Sequence, residues 1–329
     1  MYRHQSIPII AVLLATVALV AACGGSTGPL GSVPPASIAP EPSVAQGSPD
    51  VTPGPSDEPT SEPSDEPSGS AGPGATPSPT ATPAGTTIVR AYFWLGGGPG
   101  SEGLVAVLRE VPATKSIARA AVTAVLGGPT SGEKNRSITS AIPDGSQLLG
   151  LAIDGGVATV DLSNEFESGG GSASVLTRLG QVVYTLTQFP TVKSVVFQIE
   201  GVTKHTFSGE GVVLDKPSTR ADYDDLLPDI WVDRPAFNAA IGNPAHVTGN
   251  ANVFEATFRI SILDASGKTI ADEMAMANCG SGCRGTFDET ISYSVSKGQY
   301  GILRVYYGSA MDGSPQGIRD YRVWLTPKG

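Results

Sequence analysis

Val175-Leu176-Thr177-Arg178-Leu179-Gly180-Gln181-Val182-Val183-Tyr184-Thr185-Leu186-Thr187-Gln188-Phe189 runs into Pro190 and then into 192–199 (VKSVVFQI). Apolar residues recur at Val175, Leu176, Leu179, Val182, Val183, Leu186 and Phe189. That spacing makes a stripe along one face of a helix, and proline ends the helix. The apolar, β-branched run after it reads as a core strand. A helix buried along one face needs a sheet to cover it, so this stretch sets an α+β architecture for its surroundings.

Working back from it, 148–153 and 157–162 flank Asp154-Gly155-Gly156, an Asp-Gly hairpin signal. Residues 116–126 read as a helix with Ile117, Ala120, Ala121, Ala124 and Val125 apolar, stopped by Gly127-Gly128-Pro129. Before it stand two strands, 87–95 (TIVRAYFWL) and 104–111 (LVAVLREV), joined through Gly96-Gly97-Gly98-Pro99-Gly100. The order is β-β-α-β-β-α-β over 86–214, with helices on a mixed or antiparallel sheet.

Forward of it, 215–229 is a short acidic linker, and 230–329 carries no helical period. Phe254, Ala256, Phe258, Ile260 and Ile262 alternate with polar residues, as in a half-buried strand. Further runs at 230–232, 246–249, 269–277, 286–295, 301–307 and 319–325 bring the set to seven. Seven strands in about 100 residues predict an all-β immunoglobulin-like sandwich.

The amino terminus carries different information. Arg3 precedes 16 uncharged residues, Ile7 to Ala22, which is short for a membrane span and suited to an export signal. Residues 1–22 are therefore read as a signal peptide. Val20-Ala21-Ala22-Cys23 resembles a bacterial lipobox, which makes Cys23 the expected lipidation site and the membrane the expected partner of its acyl chains. Between 24 and 85, fifteen of 62 residues are proline and no aromatic occurs, so 23–85 is expected to be a disordered tether. The net charge of −10 sits in this tether and in 215–229, where Asp222, Asp224, Asp225 and Asp229 cluster, while 86–214 and 230–329 are near neutral. A nucleic-acid partner is excluded, because phosphate binding needs a basic footprint.

Reactive chemistry is hard to assemble from these residues. Gly98-Pro99-Gly100-Ser101-Glu102-Gly103 spells GxGxxG, but a strand follows it, where a dinucleotide site requires a helix. His4, His205 and His246 are isolated. The linker aspartates lack the loop of a calcium site. Trp94, Trp231 and Trp324 stand in or beside strands, where packing is the expected role. No catalytic, cofactor-binding or metal-binding residue is assigned. In an exported protein the remaining cysteines, Cys279 and Cys283, are expected to form a disulfide.

Two stretches resemble known families. Ala120-Ala121 through Leu126-Gly127-Gly128-Pro129, Ile142-Pro143-Asp144-Gly145, 157–163 (VATVDLS) with Phe166, 186–189 and 195–201 are similar to the GerMN domain of bacterial sporulation and spore-germination lipoproteins. Pro235, 249–256 (GNANVFEA), Asp264 with Gly267, and Gly285 with Phe287 are similar to the Gmad-type immunoglobulin-like domain of germination proteins. The resemblance implies a lipid-anchored, non-enzymatic envelope protein outside the cytoplasm, linked to sporulation or germination. It implies envelope proteins or the cell wall as partners, and self-association through the GerMN-like module. The alternative is a module that binds wall polysaccharide (peptidoglycan) through exposed aromatics of the sandwich.

Overall fold

The structure, a computed structural model, describes residues 85–207 and 211–328. The signal peptide, Cys23 and the tether, apart from Gly85, lie outside the described residues.

The first module opens with an antiparallel hairpin, β1 (Thr86–Leu95) and β2 (Gly103–Pro112), in continuous register from Thr86↔Pro112 to Leu95↔Gly103. Helix α1 (Ile117–Leu126) follows. Its last turn is closed by the N–H groups of Gly127 on Thr123 O and Gly128 on Val125 O, with Gly128 at φ +73°. Only glycine takes that conformation without strain. A short helix α2 (Ser131–Lys134) leads to β3 (Ile138–Thr139), which pairs with the far end of β1. Strands β4 (Leu148–Asp154) and β5 (Val157–Leu162) form the hairpin signalled by Asp-Gly-Gly, with Gly155 and Gly156 both at positive φ. Helix α3 (Ser172–Leu186) then crosses over to β6 (Ser194–Ile199), which lies parallel to β5. Strands β7 (Val202–Thr203), β8 (Thr206–Phe207) and β9 (Val212–Val213) complete the module.

Where the sequence suggests one sheet, the strands divide into two main ones, β2-β1-β3 and β4-β5-β6-β7, plus the small β8-β9 pair. Helix α3 explains the division. The side of β1 that β3 leaves open is capped by side chains of α3 and of Gln188 just beyond it. Thr185 Oγ1 accepts from Tyr92 N–H, Gln188 Oε1 accepts from Arg90 N–H, and the Gln181 and Gln188 amides donate to Tyr92 O and Arg90 O. Three polar residues spaced i, i+4, i+7 thus satisfy a strand edge that would otherwise need another strand. The helix is accordingly buried on more than its apolar stripe: Arg178, Gln181 and Thr185 are buried too, while Leu176, counted in the stripe, is 38% exposed. The Arg178 guanidinium donates to Phe166 O, Ser168 O and Gly169 O, tying down the loop before the helix.

The second module is a two-sheet sandwich. Strands β10 (Ile230–Arg234), β12 (Ala245–Ala251) and β15 (Gly285–Ile291) form one sheet. Strands β11 (Ala240–Ile241), β17 (Pro315–Leu325), β16 (Gln299–Gly308), β13 (Thr257–Leu263) and β14 (Thr269–Met276) form the other. Phe258, Ile260, Leu303, Val305, Tyr321 and Val323 meet Val232, Val247, Phe287 and Ile291 between them. The alternation read from Phe254 begins three residues late. Phe254–Ala256 is a 3-10 turn, Glu255 and Ala256 have positive φ, and Phe254 is 62% exposed.

The disulfide loop causes this turn. Cys279 and Cys283 are bonded, and between them Ser281 N–H donates to Val253 O while Ser281 Oγ accepts from Glu255 N–H. A ring this small contributes about 2 kcal/mol in the chain-entropy view. Reduction is therefore expected to lower stability by about that much and to raise amide exchange at 252–256 ahead of the sheets. Unchanged exchange there after reduction would refute the coupling.

Candidate functional site: the seam between the modules

The two modules share one buried core. The segment between them, read as a solvated acidic linker, is instead packed: a 3-10 helix (Arg220–Leu226) buries Tyr223, and Leu227 is buried after it. Acidity did not keep the segment in water, because Tyr223 and Leu226 lie against Gly180 of α3, where a larger residue would collide with them. Asp222 turns back on this segment, accepting from Thr219 and pairing with Lys216.

The seam rests on β2 and the turn before it. Arg319 of β17 is 2% exposed, and its guanidinium donates to the carbonyls of Ser101, Gly103 and Leu104 and to the Tyr321 hydroxyl. Trp231 Nε1 donates to the same Leu104 carbonyl at 3.0 Å. Phe237 N–H donates to Ala106 O at 2.8 Å and forms a parallel bridge with Val107, so the second module covers the open edge of β2. Asp229 N–H donates to Gly100 O, and the Asp229 carboxylate accepts from Tyr307. Two glycines of the GxGxxG-like run, Gly100 and Gly103, have their explanation here. A Cβ on Gly100 would strike Asp229, and one on Gly103 would meet Leu226 O at 2.6 Å. They permit close approach of two modules, which is a packing role.

A second cluster lies behind Trp231. Its ring packs on Tyr92 and Tyr184, with centroids 6.4 and 5.5 Å away, and the Arg220 guanidinium sits 4.6 Å from the Tyr184 centroid. Tyr92 Oη donates to Asp233 Oδ1 at 2.9 Å, and Arg90 pairs with the same carboxylate at 3.0 Å. Burial, and then the Asp233 carboxylate, push the Tyr92 phenol up to about 12, and burial also raises Tyr184.

This shift has a sign. The folded state holds the Tyr92 proton more tightly than the unfolded state, whose phenol titrates near 10. The associated stability, about 2–3 kcal/mol, is present below pH ~10 and is lost as pH rises through about 12. Urea unfolding at neutral pH and at about pH 11 is expected to show about half of this loss, and Tyr92→Phe to make it shallower. An equally steep loss in Tyr92→Phe would remove Tyr92 from the explanation.

The remaining sequence-selected residues scatter. His205 is exposed after β7, and His246 on β12 pairs with Asp288 across the sheet. Trp94 is half-buried on β1. Trp324 is 38% exposed and stands edge-on to Tyr300, 43% exposed, at 4.9 Å. The residues that sequence reasoning missed are Arg319, Tyr92 and Arg220. Arg319 belongs to the alternating run 319–325, whose inward phase was its only signal. Among the described residues no group of three or more His, Cys, Asp or Glu is placed to hold a metal ion, and no helix is long and apolar enough to cross a membrane.

Residues 90–205 match the Germane family, described as sporulation and spore germination. Residues 229–314 match Gmad2, the immunoglobulin-like domain of bacterial spore germination. Among solved structures, the chain is similar to the first GerMN domain of the sporulation protein GerM from Bacillus subtilis. Identity is 24%, over 41% of this chain and 99% of that one, with a TM-score of 0.36. It is also similar to the tandem GerMN domains of the same protein, with 16% identity over 65% of this chain and 64% of that one and a TM-score of 0.36. No curated protein matches the chain.

Proposed function

We propose, from the premise that the chain carries a GerMN domain followed by a Gmad2-type immunoglobulin-like domain, that it is a non-catalytic cell-envelope protein with an interaction or assembly role in sporulation or germination. In this reading Cys23 bears lipid and holds the protein at the membrane, facing away from the cytoplasm. The observation that carries the reading is the seam. Its buried arginine, tryptophan and glycines are spent on joining two modules into one body, and each of their polar groups is bonded to protein. A body of this kind presents a fixed surface, which suits contact with envelope proteins or with a second copy of its GerMN domain.

Two experiments test it. Radiolabelled palmitate should label the full chain and fail to label Cys23→Ala; label on both, or on neither, refutes the anchor. Crosslinking in intact cells, with neighbours identified by mass spectrometry, should return the same envelope proteins, or the chain itself, repeatedly. Recovery of the protein uncrosslinked from the cytosol would end the reading.

A second reading is supported by Tyr300 and Trp324, an exposed aromatic pair on the sandwich. Trp324 is the member suited to stacking on a sugar ring, since Arg322 lies over the Tyr300 ring. Purified peptidoglycan should then retain the protein and release Trp324→Ala; equal retention of both would dismiss the platform.

A further inference from the structure

Beside the seam the surface opens into a cleft of about 390 Å³, a size typical of ligand pockets. One wall is the β1–β2 turn with Arg136 and Ser137 of the first module. The other is the outer face of the five-stranded sheet, including Ile302, Ile318, Asp320 and Arg322. Arg319 forms part of the lining from beneath.

Three arginines meet here, and none has a carboxylate partner among the described residues. Arg136 Nη1 donates to Gly132 O. Arg319 bonds three carbonyls and a hydroxyl. Arg322 Nη1 donates to Asn238 Oδ1, and its guanidinium lies 3.3 Å from the Tyr300 ring centroid. The one carboxylate in the lining, Asp320, is held on both oxygens by Arg304 at 2.7 and 2.8 Å. With Asp320 committed to Arg304, Arg136 and Arg322 are the cations of this lining left to meet a ligand's negative charge. Low-dielectric walls concentrate their field. Stacking on Tyr300 fixes the Arg322 fork, which reduces the ordering cost of binding a carboxylate.

We propose that this cleft binds an acidic peptide segment of a partner protein, with a carboxylate on Arg136 and Arg322 and a neighbouring aliphatic side chain against Ile302 and Ile318. The apolar wall favours a peptide over a bare phosphate polymer: Ile318 is exposed directly beside the charge, and a phosphate chain has nothing to place there. The inference rests on the binding role proposed above and names the chemistry of the partner.

The test is a titration of the full chain with a fluorescein-labelled hexapeptide of alternating glutamate and leucine, followed by anisotropy. Binding should weaken at least about tenfold when glutamine replaces glutamate, and by a similar factor in Arg136→Glu/Arg322→Glu. Ile318→Ser should weaken it as well. The charge-reversal variant is checked by thermal unfolding, and Arg136→Gln/Arg322→Gln serves in its place if it fails to fold. Equal binding of the glutamine peptide, or undiminished binding to the variant, overturns the proposal. So does displacement of the peptide by polyglycerol phosphate combined with indifference to Ile318→Ser, which would assign the cleft to a phosphate polymer. A photocrosslinker at Ile318, compared with one at Met274 on β14, separates this inference from the broader reading. Partners captured only from Met274 leave the interaction role standing and remove the cleft from it.

Discussion

Arg319→Met is expected to lower the stability of the folded head by about 3–5 kcal/mol, the range for a buried charged group whose partners lose their bonds. Methionine fills similar volume but donates nothing. The carbonyls of Ser101, Gly103 and Leu104 each lose the guanidinium as a donor, while Leu104 O keeps Trp231. A buried carbonyl left without a donor costs about 1–3 kcal/mol, and the lost charge-assisted bonds to the other acceptors make up the rest of the range. For a body of this size the thermal midpoint should fall by roughly 2–4 °C per kcal/mol. Amide exchange should rise at the β1–β2 turn and in Arg220–Leu226, which Arg319 does not touch but the seam holds. A loss under about 1 kcal/mol would mean that water replaces the guanidinium at no cost and that the seam is not a locked joint.

Trp231→Ala should have an effect of similar size, about 3–5 kcal/mol, through a different term. The indole is buried between Tyr92 and Tyr184, so its removal leaves a cavity lined by two rings with little room to collapse. Trp231→Phe keeps most of the contact and removes only the bond to Leu104 O, so it should cost about 1–2 kcal/mol. Because Arg319 and Trp231 share that carbonyl, the double variant Arg319→Met/Trp231→Phe should depart from additivity by 0.5 kcal/mol or more, whereas either change combined with Leu179→Ala in the α3 core should add. Additivity of the seam pair would show that the two bonds act independently and that the shared acceptor is incidental.

The residues that made the fold legible were those whose role is local. The stripe from Val175 to Phe189, the Gly127-Gly128 stop and the Asp154-Gly155-Gly156 turn carry their signals within a few residues; the elements stand at those signals, except that the helix stops at Leu186, so Phe189 and Pro190 lie in the turn beyond it. The boundary misread at Phe254 has a non-local cause: the Ser281 loop bonds to the turn from 26 residues away. Gln181, Thr185 and Gln188 carry no local signal of their role, because polar residues on or just after a helix usually face solvent. Their partners on β1 are about 90 residues distant.

The glycines at 98–103 and the acids at 215–229 show the same limit. Composition marked the first as a turn and the second as a linker, yet both are drawn into the joint because Gly103 lets Leu226 and Pro228 approach its backbone. The sequence by itself determined two modules of known class, an α+β unit and a β-sandwich, because hydrophobic period and turn chemistry are written in neighbouring residues. Only the tertiary structure decided that they form one body, that Arg319 and Trp231 meet at one carbonyl, and that three arginines converge on a cleft. Each of these is a pairing of residues far apart in the chain, and nothing in either partner's local sequence encodes the other.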